Sequence, residues 1–211
     1  MELFFSPLAC SMASRIALYE AGATARFSEV DSHTKRLVTG EDYRRIHALG
    51  LVPALRLDDG SVLSENAAIL QYIADTHPHA GLAPRSGPER AKLQQWLSFI
   101  GTELHKSLFI PLFDKNLPDV TRTRTLDTGA TRMEYLDSHL ATHEYMLDAW
   151  SVADAYLTTV LNWHIATPVD LARWPAVKGY FERMVTRPAV ARAMQEEFEL
   201  YRAEQLRRQV A

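Results

Sequence analysis

Two periodicities divide this chain. Up to residue 64 short apolar runs are broken by turn residues, whereas beyond residue 88 apolar positions recur every three or four residues. Residues 2–6 read as a strand. Residues 11–21 read as a helix with Met12, Ile16 and Tyr19 near one face, closed by Gly22 in the left-handed C′ conformation. Residues 26–31 read as a second strand. Strand, helix and strand in about thirty residues make a βαβ unit with a right-handed crossover, which commits the opening to an α/β layer. A polar, poorly periodic segment follows over 32–49, with one short helix expected over 42–46. Residues 51–57 form a strand, and the turn signal Asp58-Asp59-Gly60-Ser61 returns the chain into Val62-Leu63 as a hairpin. Ser64-Glu65-Asn66 then opens a helix that buries Ala68, Ile69, Tyr72 and Ile73 and ends at Pro78.

Residues 76–88 carry Pro78, Gly81, Pro84, Gly87 and Pro88 without periodicity and read as an interdomain linker. Past it, Leu93, Trp96, Leu97, Ile100 and Leu104 form a helical stripe, and no further strand is evident. Helices are expected over 123–140, 151–165, 175–186 and 188–202. Ser151-Val152-Ala153-Asp154 has the form of a capping box at a helix start in the apolar interior, so it is read as structural. The division is an α/β domain over 1–80 and an all-α domain over 88–211.

Composition narrows the function. The 211 residues are 47% hydrophobic and 23% charged, enough for a sizeable core, and the formal charge of -3 leaves no basic footprint for nucleic acid or an anionic membrane surface. No apolar run approaches membrane-spanning length. The start MELFF lacks a secretory pattern and one cysteine cannot build an intrachain disulfide, so the cytoplasm is the expected compartment. There is no phosphate loop, dinucleotide fingerprint or metal cage. His139 with His143 and His77 with His79 lack a clustered third ligand and are read as surface histidines, with no metal expected.

The one cysteine, Cys10, stands immediately before the first helix, where Ser11 is expected as N-cap and the helix N-terminus favours a thiolate. A free cysteine is most often a small buried hydrophobe, and Ala13 rules out a CxxC pair. The signal lies in combination: Cys10-Ser11, Val52-Pro53-Ala54-Leu55 before a strand, and Glu65 at a helix start are pieces a thioredoxin-like domain would bring together.

On these residues the chain resembles the glutathione transferases, most closely their bacterial beta class. The likeness is carried by SPLACSMASRIALYEAG (6–22), Lys35, GLVPALRLDDG (50–60), LSENAAILQYIAD (63–75), LAP (82–84), QQWLSFIGTELHKSLFIPLF (94–113), WSVADAYL (150–157) and WPAV (174–177). It implies a thioredoxin-like first domain that binds glutathione as co-substrate, and an all-α second domain. Pro53 would be cis, letting the backbone of Val52 pair with the ligand's cysteinyl moiety. Glu65 would take the γ-glutamyl ammonium, Asn66 and the amides of its helix the adjacent carboxylate, and Lys35 and Lys106 the glycyl end. Catalysis would be activation of the glutathione thiol by Ser11 and the amides near Cys10, with His105 from the helical domain. Cys10 would neighbour the ligand, where the resemblance implies a cysteine able to form a mixed disulfide with it. Ser98 would lie near the ligand. In a homodimer Glu103 would approach the partner's glutathione, and Phe109, Phe113, Trp163 and His164 would wall a site for a small apolar electrophile. HALG (47–50), Asn66 and Ser98 depart from the usual pattern, which has a small hydroxyl residue or glycine at 66 and an amide side chain at 98.

The expected function is conjugation of the glutathione thiolate to apolar electrophiles, with thiol–disulfide or peroxidase side activity. The alternatives are a glutathione-dependent reductase or dehalogenase requiring Cys10, and a non-catalytic glutathione-binding or regulatory protein on the same fold.

Overall fold

The computed structural model describes residues 1–210 and divides into two units, Met1–Leu82 with Arg187–Ala211, and Ala83–Thr186. The first is built on β1 (Glu2–Phe5), whose four residues are all buried because the strand lies inside the sheet with both faces covered. Helix α1 (Met12–Glu20) returns the chain to β2 (Arg26–Asp31), parallel to β1 with Glu2 opposite Arg26 and Phe5 opposite Glu29. This is the βαβ unit read from the sequence. Strand β4 (Ala54–Arg56) pairs antiparallel with β1, and β5 (Val62–Ser64) with β4, through a turn in which Asp59 accepts the Ser61 amide at 2.9 Å. The sheet order is β3-β2-β1-β4-β5, where β3 is Arg36–Leu37, antiparallel to β2. That strand lies in the segment read as irregular, since two residues leave no alternation to detect.

Helix α1 is buried from Met12 to Leu18, including Ser14 and Arg15. The sequence suggested one apolar face. It is enclosed more fully because α2 (Asn66–Thr76) and the last helix, α8 (Pro188–Val210), both pack on it. The sequence division put α8 with the helical domain, but its contacts group it with the sheet. Arg187 grips Glu20 through two hydrogen bonds of 3.0 and 3.1 Å. Another core cluster gathers Phe4, Val30, Leu37, Tyr43 and Ala54. Phe4 and Tyr43 lie 5.6 Å apart at full burial, each stabilising the fold by about 2 kcal/mol.

The second unit is helical: α3 (Gly87–Phe99), a π-helical stretch over Ile100–Phe109, α4 (Ile110–Leu112), α5 (Asp119–Leu140), α6 (Val152–Leu161) and α7 (Pro175–Met184). Leu93, Trp96, Leu97, Ile100 and Leu104 are all buried, as their spacing predicts. The capping box at Ser151 and Asp154 is formed, and every residue of α6 is buried. The architecture is a thioredoxin-like α/β domain followed by an all-α region. Among the described residues no helix is long and apolar enough to cross a membrane.

Candidate active site

The loop from Ser6 to Ser11 connects β1 to α1 and carries Cys10. It is already wound before the helix begins: the Ala9 amide donates to the Ser6 carbonyl at 3.1 Å, Met12 to Ala9 at 3.0 Å and Ala13 to Cys10 at 3.2 Å. Ser11 stands at the N-cap position, as expected, but its side chain does not cap the helix. Ser11 has helical backbone angles (φ -60°, ψ -21°) and makes no side-chain cap bond. Its hydroxyl, fully buried, donates to the Ser6 carbonyl and accepts from the Ser6 amide, each at 3.3 Å. These bonds close the loop.

Cys10 is half-buried, and its thiol donates to the Val52 carbonyl at 3.3 Å. The Val52–Pro53 peptide is cis, and Pro53 is buried. Loop 47–52 is held from beneath by Tyr43, whose hydroxyl donates to the Leu51 carbonyl at 2.8 Å. Burial raises the Tyr43 phenol well above its usual range, so it stays a donor. Gly50 serves the same loop. It has φ +61°, and a Cβ there would stand 3.1 Å from Cδ of Lys35, whose stem lies over it. Lys35 is itself left-handed at φ 58°, with its carbonyl accepting from the Tyr43 amide at 3.0 Å.

Glu65 is exposed and its backbone is unusual for a residue with a side chain, at φ 67° and ψ 119°. Its carbonyl accepts from Ala68 and Ile69, both at 3.0 Å, which starts α2 and leaves the amides of Asn66 and Ala67 without intrahelical partners at its positive end. The Asn66 side chain points inward. Its Nδ2 donates to the Cys10 carbonyl at 2.9 Å, and its Oδ1 accepts from the Ser14 hydroxyl at 2.9 Å. What Asn66 can offer a carboxylate is therefore its backbone N–H, while its amide ties the start of α2 to the Cys10 loop. Cys10, Val52, Pro53 and Asn66 stand together, with Glu65 adjacent.

In the helical unit His105 is buried beside Leu104, because π-helical winding turns less per residue and keeps it near the apolar stripe. Its Nδ1 meets the Tyr156 hydroxyl at 2.7 Å and its ring packs on Trp163 at 4.9 Å. Burial, with the neighbouring Lys106 charge, pushes the imidazole down to about 4, so it is neutral at physiological pH. Trp163 also gathers Phe109 at 6.0 Å and Phe113 at 5.6 Å. His164 packs on Phe181 at 5.4 Å. Lys106 and Ser98 are exposed, and the Ser98 carbonyl accepts from the Thr102 hydroxyl at 3.0 Å. Glu103 is engaged within the chain, accepting from Arg132 Nε at 2.6 Å.

Three residues beside these were missed. Tyr156 lies in the quoted block 150–157, where its contact with His105 left no trace in the spacing. Arg15 and Glu197 are charged residues in helices, and charge there normally marks a solvated face. Among the described residues no group of three or more His, Cys, Asp or Glu side chains could hold a metal ion.

The glutathione S-transferase N-terminal domain matches residues 9–76 and the C-terminal domain residues 123–188. The chain is 39% identical over 199 residues to glutathione S-transferase GstA of Escherichia coli O157:H7, covering 93% of this chain and 98% of that protein. It superposes on a sphingomonad glutathione S-transferase complexed with glutathione with a TM-score of 0.89 at 41% identity, covering 93% of this chain and 98% of that one. Against a bacterial beta-class enzyme of Sphingomonas chungbukensis the TM-score is 0.88, again at 41% identity and with 93% and 98% covered. With both domains matched and relatives aligned over nearly their full length, the chain belongs to the glutathione S-transferase family of enzymes.

Proposed function

We propose that the chain binds glutathione on its first unit and conjugates the glutathione sulfur to apolar electrophiles. The observation that carries this reading is the meeting of the Cys10 thiol with the Val52 carbonyl beside a cis Pro53, joined to the start of α2 by Asn66. Extended peptide ligand would pair along Val52, its ammonium would face Glu65, its carboxylate the amides of Asn66 and Ala67, and its glycyl end Lys35. A free thiol with a pKa of about 8.5 is only a few per cent thiolate at neutral pH. Donors near Cys10 stabilise the anion and release the thiol proton to solvent. The thiolate lone pair then forms the sulfur–carbon bond while the leaving group departs with its electron pair. Neutral His105 would contribute a hydrogen bond rather than a charge, and Phe113, the exposed ring packed on Trp163, would offer apolar surface to the electrophile, with Phe109 buried behind it. We place the enzyme in the cytoplasm as a homodimer. A stable monomer in light scattering at micromolar concentration removes the proposed approach of Glu103 to a partner's ligand.

A second reading, glutathione-dependent reduction through a mixed disulfide, is favoured by the half-buried position of the Cys10 thiol. Retention on immobilised glutathione followed by titration of thiolate absorbance separates the readings. Conjugation predicts retention and a bound thiol ionising at least about one pH unit below its free value. Failure to bind points to a regulatory member of the fold, and binding with an unshifted thiol points to storage or reduction.

A further inference from the structure

The Cys10 loop is held from the far end of the chain. Leu8, two residues before Cys10, has a left-handed backbone at φ 58°, a conformation that a side chain disfavours and that needs an external hold. Its amide donates to Oε2 of Glu197 at 2.8 Å, and Glu197 is fully buried on α8. The other oxygen, Oε1, accepts from Arg15 Nε at 2.9 Å. Arg15 is only 4% exposed in its side chain and lies over Phe5 and Phe27, 4.3 and 4.1 Å from the ring centres. It also reaches Glu196 at 3.0 Å and Tyr19 at 3.2 Å. Phe5 ends the strand before the loop and Arg15 lies on the helix after it, so the carboxylate is bonded to the middle of the loop and, through Arg15, linked to both flanks.

We infer that Glu197 is a positioning residue of the active site: fixed by Arg15, its carboxylate holds the Leu8 amide and thereby sets where the loop presents Cys10. This rests on the proposed glutathione site. Helix-to-helix attachment alone does not require these groups, since buried ion pairs are often replaceable by packed apolar side chains without loss of stability. Holding a backbone amide requires an acceptor. A glutamine does not replace the carboxylate, because Leu8 and Arg15 donate to different oxygens, and the amino group that takes the place of one of them confronts a donor.

Glu197→Gln and the double variant Arg15→Met with Glu197→Met test this. Cys10 is the chain's only cysteine, so its alkylation by iodoacetamide is read without ambiguity from intact mass. Glu197→Gln is expected to raise both the Cys10 alkylation rate and the glutathione KM roughly tenfold, the scale of one lost hydrogen bond to a charged group. The double variant is expected to melt at or above the temperature of Glu197→Gln, since it leaves no unpaired buried charge, yet to keep both changes, which a merely structural role would not leave behind. Should Glu197→Gln fail to fold, the double variant alone decides. Wild-type alkylation in either folded variant overturns the inference, as does an unchanged KM. If the wild-type protein does not bind glutathione, the transferase reading fails separately, while alkylation still reports the hold on the loop.

Discussion

Helices α1 and α6 each follow a buried serine, Ser11 and Ser151, and the two serines do different things. Ser151 is extended (φ -145°, ψ 174°), its side chain accepts from the Ala153 amide, and Asp154 returns the favour to the Ser151 amide at 2.8 Å. Asp154 also accepts from the Met146 amide and the Tyr180 hydroxyl, both at 2.9 Å. Ser11 is helical, has a serine rather than an acid three residues on, and bonds back to Ser6. A hydroxyl before an apolar run is thus half of a cap signal; the acid that reciprocates and a chain arriving extended supply the rest. The first arrangement fixes a fold. The second leaves the approach to α1 to be shaped by what flanks it, including the thiol of Cys10.

Breaking the α6 arrangement should cost most. Asp154→Ala leaves the Met146 and Ser151 amides and the Tyr180 hydroxyl without their buried acceptor, so a loss of about 4 kcal/mol in urea unfolding is expected. A loss below about 1 kcal/mol would mean that water replaces the carboxylate and the network is dispensable. Ser151→Ala removes the cap oxygen and its own bond to Asp154 but leaves the carboxylate in place, and about 1–2 kcal/mol is expected in the same measurement.

The same contrast marks what was legible in the sequence. The hairpin at Asp58 to Ser61, the stripe from Leu93 to Leu104 and the capping box all follow local rules, and all are present. Strand β3 was too short to alternate. The placement of α8 was hidden for another reason. Its attachment uses Arg15 with Glu197 and Arg187 with Glu20, and a charged helix position reads as solvent-facing until its partner, more than 160 residues away in sequence, is known. In the site, Cys10, Val52-Pro53 and Glu65 were singled out by their places before a helix, before a strand and at a helix start, and the family resemblance supplied their expected roles. The inward turn of Asn66 was not, because an amide at a helix start suits a ligand carboxylate and a neighbouring carbonyl equally well. His105 was flagged, but Tyr156, whose ring packs on it, looked like core.

Ser11→Ala sharpens the comparison from the other side. Its hydroxyl bonds are long, and alanine suits the helical conformation found there, so a cost of about 1 kcal/mol or less is expected. Conjugation of glutathione to 1-chloro-2,4-dinitrobenzene should continue in this variant. A destabilisation equal to that of Ser151→Ala would restore Ser11 as a cap in effect, and loss of conjugation would restore it as a donor.

The smallest effect on stability is expected from Cys10→Ala, about 0.5 kcal/mol, since the thiol is a weak donor. Its consequence for chemistry divides the two enzymatic readings. If the bound tripeptide supplies the nucleophilic sulfur, Cys10 is its neighbour, and the variant keeps measurable conjugation while intact mass finds no glutathione adduct under oxidising conditions. If Cys10 itself carries the reaction, conjugation and adduct vanish together. Retained conjugation would also establish that the start of α1 acts through the position of its loop more than through its cysteine, which is the property that a helix start without a side-chain cap is free to acquire.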